Sequence, residues 1–593
     1  MDNGYAPLIP RPFSGASFPV LPEIPPGNHR RCLFRRNTTM LPTPLPLRSI
    51  FLLPPLLFLL AFYFHPLLQI LLLSYTGDFG DQPLSLAHTL NGTVYLRIIW
   101  FTFWQAALST LFTFFLALPG AFIYARYDFR GKKLLRAVST VPFVLPTMVT
   151  AAAFRALLGA NGLVNTWLME LFSVNQPPIQ IEQTLAFFLL AHVFYNYTLV
   201  LRIVGEYWSR IDARTGEAAA MLGANPRQIF FRVTLPLLTP AIASSALLVF
   251  IFCFTSFGII LLLGGPGQTT IEVEIYRQAV HLFNLPMAAS LSLIQILFNF
   301  GLMWLYVRIG RKSPLSFFAD TLPLRTKPAQ QTGEKVFLAA NLTVMFLLLA
   351  TPLLALLTAS FTNQDGFSAL YYLILFSRQT GSVFAASTGQ AICNSLLFAL
   401  TATAFALALG VSASTALAAP RLPGRALMET LILLPLATSA VTMGFGFIVT
   451  LNRPPLDLRD SLALIPLAHT LVAFPFVVRC LLPALRSIPH ALREAAAVLG
   501  ASPGRIWYRI DLPLTAKALA ISAVFAFSVS MGEFGATSFI ARPYTPTMPV
   551  AIFRFLSQPG DLNFGQAMAM SSILMLVTLL GFLILEKLTP AKS

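Results

Sequence analysis

The sequence predicts an all-α polytopic membrane protein with twelve transmembrane helices, arranged as two parallel six-helix repeats. Three observations carry this prediction: a composition too apolar for water, apolar runs of membrane length, and a long self-match at one constant offset. Of 593 residues, 56% are hydrophobic and only 11% charged, against roughly 25% charged in an ordinary soluble domain. Runs of about 20 apolar residues, enough to cross a hydrocarbon core, recur after residue 48. A bilayer offers no partners to backbone N–H and C=O groups, so these runs must be helices.

Six spans are predicted in the first half, near Ile50–Tyr75, Ile98–Tyr124, Ala137–Leu158, Gln183–Val204, Leu237–Leu263 and Met287–Val307. Six more follow near Lys335–Phe361, Ala391–Ala418, Met428–Leu451, Ser461–Cys480, Ala518–Ile540 and Gln566–Leu585. Basic residues set the orientation, because short Lys- and Arg-rich loops stay cytoplasmic. With twelve spans one face collects the cluster Arg30–Arg48, the cluster Arg126–Arg136, then Arg210, Arg214, Arg227, Arg232, Arg311, Lys312, Arg325, Lys327, Arg421, Arg425, Arg486, Arg493, Arg505, Arg509, Lys587 and Lys592. The other face holds few, such as Arg97, Arg277, Arg378 and Arg542, with the acids Asp78, Asp81, Glu272 and Glu274. Both termini are then expected to be cytoplasmic.

The net charge of +17 is spread over short clusters between apolar runs and forms no single basic face, which argues against a nucleic-acid partner. The partner expected on these grounds is membrane lipid. Cys32, Cys253, Cys393 and Cys480 stand in no CxxC or Cys/His spacing, so neither a metal nor a redox site is expected. Residues 1–48, rich in proline and arginine, read as a disordered cytoplasmic tail. They lack the apolar core and cleavage site of a signal peptide.

The self-match fixes the organisation. Leu190-Ala191-His192 repeats as Leu467-Ala468-His469, and Glu217-Ala218-Ala219-Ala220 as Glu494-Ala495-Ala496-Ala497. Phe257-Gly258 repeats as Phe534-Gly535, and Arg277 as Arg554, every pair being 277 residues apart (494 − 217, 554 − 277). Each copy holds six spans, so the copies share one orientation and a pseudo-twofold axis along the membrane normal is expected. The expected units are the tail 1–48, a first half 49–309 with a cytoplasmic loop 205–236, a linker 310–334, and a second half 335–593 with the matching loop 481–513. The linker carries Pro314, Pro323 and Pro328.

The most polar repeated feature is that loop: EAAAMLGANPRQIFFRVTLPLL at 217–238 and EAAAVLGASPGRIWYRIDLPLT at 494–515. Glu-Ala-Ala-Ala is strong helix-forming sequence, and Gly223 or Gly500 then permits a turn that a Cβ would resist. A second amphipathic stretch exposes Ile229, Phe230 and Phe231, or Ile506, Trp507 and Tyr508, until Leu-Pro ends it before the next span. A docking surface for a partner is the natural use; a helix lying on the membrane surface is the alternative.

Glu-Ala-Ala, a following Gly, then Ile and Leu-Pro between two spans resembles the coupling loop of binding-protein-dependent ABC importer permeases. The resemblance covers the chain from about residue 49 to its end. It implies a pore driven by a separate cytoplasmic ABC ATPase dimer, whose grooves receive the loops, and supplied by an extracytoplasmic substrate-binding protein. Carried onto this sequence, Glu217, Ala218, Ala219, Gly223, Leu235 and Pro236, with Glu494, Ala495, Ala496, Gly500, Leu512 and Pro513, become the ATPase-contacting or loop-shaping positions. Two halves in one chain look most like the fused thiamine and iron(III) permeases. FTFWQAALS at 101–109, LLAHVFYN at 189–196 and the stretch 253–279 resemble the thiamine type, while Gly532-Glu533-Phe534-Gly535 is of a type shared with iron(III) permeases.

Inside the membrane, a charged residue costs at least about 2.5–3.5 kcal/mol, so Glu533 calls for a reason. One reading places it on the translocation pathway opposite its counterpart Ser256, favouring a cation such as thiamine; the other has it hydrogen-bonding a neighbouring helix. His192 and His469, at equivalent positions, are expected to join helices. The outer segments with Gly264-Gly265-Pro266-Gly267, Glu272, Glu274 and Arg277 are expected to face a docking binding protein. No GxxxxGK[ST] occurs in the chain, so ATP must be bound and hydrolysed by a partner subunit, and neither a cofactor nor a catalytic residue is expected here. A secondary active transporter of a small solute would also repeat in parallel, but few acids lie in its spans. A membrane enzyme would need a cluster of catalytic groups that the sequence lacks.

Overall fold

The computed structural model describes residues 50–76, 92–132, 135, 139, 141–312, 326–363, 366–377, 388–419, 422, 424–452 and 457–588. The predicted tail 1–48, most of the linker 310–334, and the orientation or thiol residues Cys32, Asp78, Asp81, Lys133, Arg136, Arg325, Arg378, Arg421 and Lys592 lie outside the described residues.

Among the described residues, eleven helices are long and apolar enough to cross a membrane, and a bent pair supplies a twelfth. In the first half they are Leu53–Tyr75, Thr93–Arg126, Thr147–Phe172, Leu185–Trp208, Pro226–Phe254 and Leu285–Ile309. In the second they are Thr332–Phe361, Thr388–Leu417, the pair Arg425–Ala437 and Ala440–Thr450, Leu464–Ser487, Pro503–Met531 and Asp561–Ile584. The all-α, twice-six architecture is thus present. The fourth and tenth spans are the most buried of the set and form the centre on which the others pack.

Several ends differ from the sequence reading. The ninth span, expected as one helix over Met428–Leu451, bends by 96° after a 3-10 turn at Leu434–Ala437 that contains Pro435. The fifth and eleventh spans, expected to run to Leu263 and Ile540, stop at Phe254 and Met531. Short helices, Gly258–Leu263 and Thr537–Ile540, resume after a break. Leu235-Pro236 and Leu512-Pro513 do not end a helix before the fifth span of each half, as expected; the span itself starts at Pro226 and Pro503 and runs through them.

Proline is accommodated there by one device used three times. A π-helical turn occupies Leu60–Phe64, Phe230–Thr234 and Trp507–Asp511, and each is followed at once by an X-Pro pair: His65-Pro66, Leu235-Pro236 and Leu512-Pro513. Proline lacks an N–H and its ring crowds the carbonyl four residues back. Widening the preceding turn lets the X residue bond five residues back, as Leu235 N–H does to the Phe230 carbonyl, and the helix continues.

The two halves exchange their first helices. His65–Thr76 of the first span packs on its own sixth span and also on Ala440–Thr450 of the second half, where Tyr63 Oη and Thr438 Oγ1 lie 2.6 Å apart. Thr351–Phe361 of the seventh span packs on its own twelfth span and on Thr147–Leu158 of the first half. The end of the linker is also fastened. Lys327–Pro328 pairs in parallel with Tyr127–Asp128, and Lys327 Nζ sits 2.8 Å from Glu334 Oε1.

Candidate functional site

Each repeated loop folds as the sequence predicts up to its glycine. Ala213–Met221 and His490–Val498 are helical. In the first, Asp212 caps the start by accepting from the Arg214 N–H at 3.0 Å. Both end in the same closed turn. The N–H of Gly223 donates to the Ala220 carbonyl at 2.9 Å and that of Ala224 to Ala219 at 3.1 Å; Gly500 to Ala497 and Ala501 to Ala496 repeat this, both at 3.0 Å. This is the bonding of a helix end closed by a left-handed residue, and Gly223 and Gly500 have φ of +84° and +81°. The Glu-Ala-Ala-Ala helix therefore supplies the turn's acceptors, and the glycine supplies the backbone reversal.

Glu217, Ala218, Glu494 and Ala495 are exposed on these loops, and Ala219 and Ala496 half-buried. Leu235 and Leu512 are half-buried and Pro236 and Pro513 exposed, just after the π-turns of the long helices. The sequence reading placed the apolar surface on Ile229–Phe231 and Ile506–Tyr508; of these, Phe231 and Tyr508 are the well exposed ones, at 63% and 65%. It missed the residues at the tip. Met221 and Leu222 are each 89% exposed, and Val498 and Leu499 each 87%. Their signal was available: two apolar residues directly before a helix-ending glycine cannot turn back into the helix's own packing.

The two loops are held unequally. Arg493 Nε lies 2.7 Å from Asp511 Oδ1, in a largely buried ion pair, and Arg493 also donates to the Leu485 carbonyl at 3.2 Å. The positions matching Arg493 and Asp511 in the first loop are Gly216 and Thr234, which cannot form an ion pair. There, Trp208 lies against Phe230, ring centroids 6.3 Å apart. Asp511→Asn is expected to remove about 1–3 kcal/mol by stranding a part-buried guanidinium. Hydrogen exchange should then quicken across residues 490–511 and stay unchanged across 213–234; equal change in both would show that the pair does not hold the second loop.

At the far end of the long helices, Ser256 and Glu533 sit in the two breaks, and the structure brings each to its repeated histidine. His192 Nε2 is 2.8 Å from Ser256 Oγ and its Nδ1 2.9 Å from Ser109 Oγ. His469 Nδ1 is 2.7 Å from Ser530 Oγ, and its Nε2 lies 2.8 Å from Thr537 Oγ1 and 3.3 Å from Glu533 Oε2. Both histidines therefore join elements, as expected of them. Glu533 is buried at 6% exposure. Its oxygens accept from the backbone N–H of Ala536 at 2.7 Å and of Thr537 at 3.0 Å, and from the Thr537 hydroxyl. The carboxylate thus closes the start of Thr537–Ile540, satisfying N–H groups that a helix start leaves unpaired. The breaks also need close approach: a Cβ at Gly535 would press on Ala440, and one at Gly258 on the Met148 side chain.

Four aromatic rings meet between the two halves at the breaks. Phe257 stacks on its own repeat partner Phe534, centroids 5.4 Å apart and planes 18° apart. Tyr276 lies 5.4 Å from Phe257, and Phe553, its repeat partner, 5.4 Å from Phe534.

Glu272 and Glu274 do not face outward as expected. Both are fully buried, and each carboxylate accepts hydrogen bonds from within the fold. Glu272 accepts from Ser439 Oγ at 2.6 Å and Gln295 Nε2 at 2.9 Å, joining the first half to the bend of the ninth span. Burial pushes the Glu272 carboxyl up to about 8, while the bonds from Ser439 and Gln295 pull the other way. Glu274 accepts from Arg277 at 2.9 Å and Gln278 at 2.6 Å. Among the described residues no group of three His, Cys, Asp or Glu is placed to hold a metal ion.

Residues 109–313 match the family model described as "Binding-protein-dependent transport system inner membrane component". The thiamine transport system permease protein ThiP of Brucella suis is 26% identical over 511 residues, covering 85% of this chain and 90% of the relative. Over residues 109–313 the chain matches this permease family, and ThiP extends the likeness over most of its length. The permease is equally similar to ThiP of Escherichia coli, 26% identical over 499 residues, 83% of this chain and 89% of the relative. A putative 2-aminoethylphosphonate permease protein, PhnU of Salmonella choleraesuis, is 29% identical over 258 residues, covering 43% of the permease but 90% of the relative. A relative of about one half's length thus matches a stretch of that length, while the ThiP relatives match over more than four-fifths of the chain. The permease is the transmembrane subunit of an ABC importer in the inner membrane, and a secondary active transporter is not favoured.

Proposed function

We propose that this permease carries thiamine inward, with the halves 49–309 and 335–593 enclosing one pathway and a separate pair of cytoplasmic ABC ATPases docking on the two loops. The observation that supports the docking is the pair of matching closed turns, each thrusting two apolar residues into solvent at the end of a short helix, just before the start of a span. Movement of Met221–Leu222 or Val498–Leu499 by a partner would be passed through the turn to Pro226–Phe254 or Pro503–Met531, since a hydrogen-bonded helix is stiff along its axis. Glu217, Gly223, Glu494 and Gly500 shape those contacts, and Leu235-Pro236 and Leu512-Pro513 join them to the spans. Without a phosphate-binding sequence of its own, the permease takes its ATP hydrolysis from that partner. An extracytoplasmic binding protein presents the solute on the other face, so loops, linker and both termini lie on the cytoplasmic side.

The fused relatives favour thiamine over iron(III), since theirs are thiamine permeases matched over more than four-fifths of this chain. Ser256 and Glu533 then border the pathway indirectly, by setting the helix breaks beside it. In proteoliposomes holding the permease, its ATPase and its binding protein, ATP is expected to drive uptake of radiolabelled thiamine that unlabelled thiamine suppresses. Uptake suppressed by iron(III) and not by thiamine would sink the assignment.

A further inference from the structure

The row of four rings, stacked at its centre, has a placement that neither loop docking nor helix joining explains. Phe257 and Phe534 are repeat partners in contact with each other, so the pseudo-twofold axis passes between their rings. An axis shared by two halves is the one line along which a solute can pass both without breaking their symmetry. Both rings are buried, at 6% and 3% exposure. The helix Pro226–Phe254 has 29 residues, so at about 1.5 Å per residue the stack lies roughly 43 Å from the exposed loops, across the whole hydrocarbon thickness.

We propose that Phe257 and Phe534 are the seal of the translocation pathway on the face opposite the coupling loops, and that a flat aromatic solute opens it by exchanging ring partners. The second clause rests on the thiamine reading; the first does not. Separating the halves breaks the Phe257–Phe534 contact but keeps Tyr276 with Phe257 and Phe553 with Phe534, because each outer ring belongs to the same half as its inner one. What each inner ring loses is one aromatic neighbour. A solute carrying flat rings restores that neighbour on both sides as it passes, and a cationic ring adds attraction to the ring faces. A sugar or an aliphatic solute restores neither.

The full-length permease in liposomes, without ATPase or binding protein, tests the seal alone. Wild type is expected to retain entrapped radiolabelled mannitol, and Phe257→Ala with Phe534→Ala to release it at least about tenfold faster; equal retention overturns the seal. Phe257→Leu with Phe534→Leu refills the space with apolar volume and is expected to hold mannitol. In the assembled transporter it should lower thiamine uptake about threefold to tenfold, the value of one ring contact, with ATP turnover maintained. Wild-type uptake in the leucine pair overturns ring exchange. Tight vesicles whose wild-type transporter ignores thiamine would strike the cargo reading and ring exchange with it, while the mannitol result still decides the seal.

Discussion

Replacing Gly223 and Gly500 together by valine is expected to abolish ATP-driven uptake while leaving the permease inserted in the membrane. Both glycines hold φ near +80°, a conformation that costs an L-residue roughly 1–2 kcal/mol and a β-branched one more. No atom lies within 4 Å of where a Cβ would stand at either position, so the penalty is conformational and not steric against a neighbour. The loop can escape it only by unmaking the bonds to Ala219 and Ala220, or Ala496 and Ala497, which would swing the exposed pairs Met221–Leu222 and Val498–Leu499 away from any partner's groove. The spans themselves do not use these bonds and should insert normally. Co-purification of the ATPase and thiamine uptake are the readouts. The asparagine pair separates conformation from side-chain bulk, since asparagine tolerates the left-handed region, and should recover most activity. Uptake retained in the valine pair would remove the turn from the coupling path.

Glu533→Gln is expected to cost about 1–3 kcal/mol of stability, seen as a lower thermal midpoint of the detergent-purified permease. A carboxylate can accept from the Ala536 and Thr537 N–H groups with both oxygens; an amide presents one oxygen and turns its own N–H₂ toward a donor. His469 loses its acidic neighbour at the same time. Because both side chains serve one break, His469→Gln should add less in the glutamine background than alone, with a coupling of about 1 kcal/mol or more. Strict additivity would show that the histidine and the carboxylate act separately. The matching change Ser256→Ala should cost less, since Ser256 carries no charge and the first break has no equivalent acceptor network.

The spans were legible because hydropathy along a chain reports directly on the solvent each segment meets. The closed turns were legible too: alanines followed by a single glycine allow few other endings. What sequence hid lies where local pattern and tertiary contact part company. Ser256-Phe257-Gly258 and Glu533-Phe534-Gly535 sit inside long apolar runs that read as single spans, while the breaks bring Gly258 and Gly535 close to Met148 and Ala440. Leu-Pro was read as a stop because proline ends most helices, and the π-turn that rescues it depends on backbone spacing and not on any residue type. Glu272 looked like an outer-face acid because its partners, Ser439 and Gln295, are polar groups without charge and distant in the chain. The stacking of Phe257 on Phe534 was implicit in the repeat but required knowing where the axis falls.

The exchange of first helices bears on how the protein is made. Tyr63 meets its partner Thr438 across 375 residues of chain, and at about 5–20 residues per second of synthesis that is a wait of roughly 20–75 s. Until then the first helix lies in lipid with only its own half for company, and the ribosome is already threading the second half into the bilayer. Two separate polypeptides would have to find each other during that interval, with like halves competing to pair with like. Joining them in a single message makes the correct neighbour the next one to arrive.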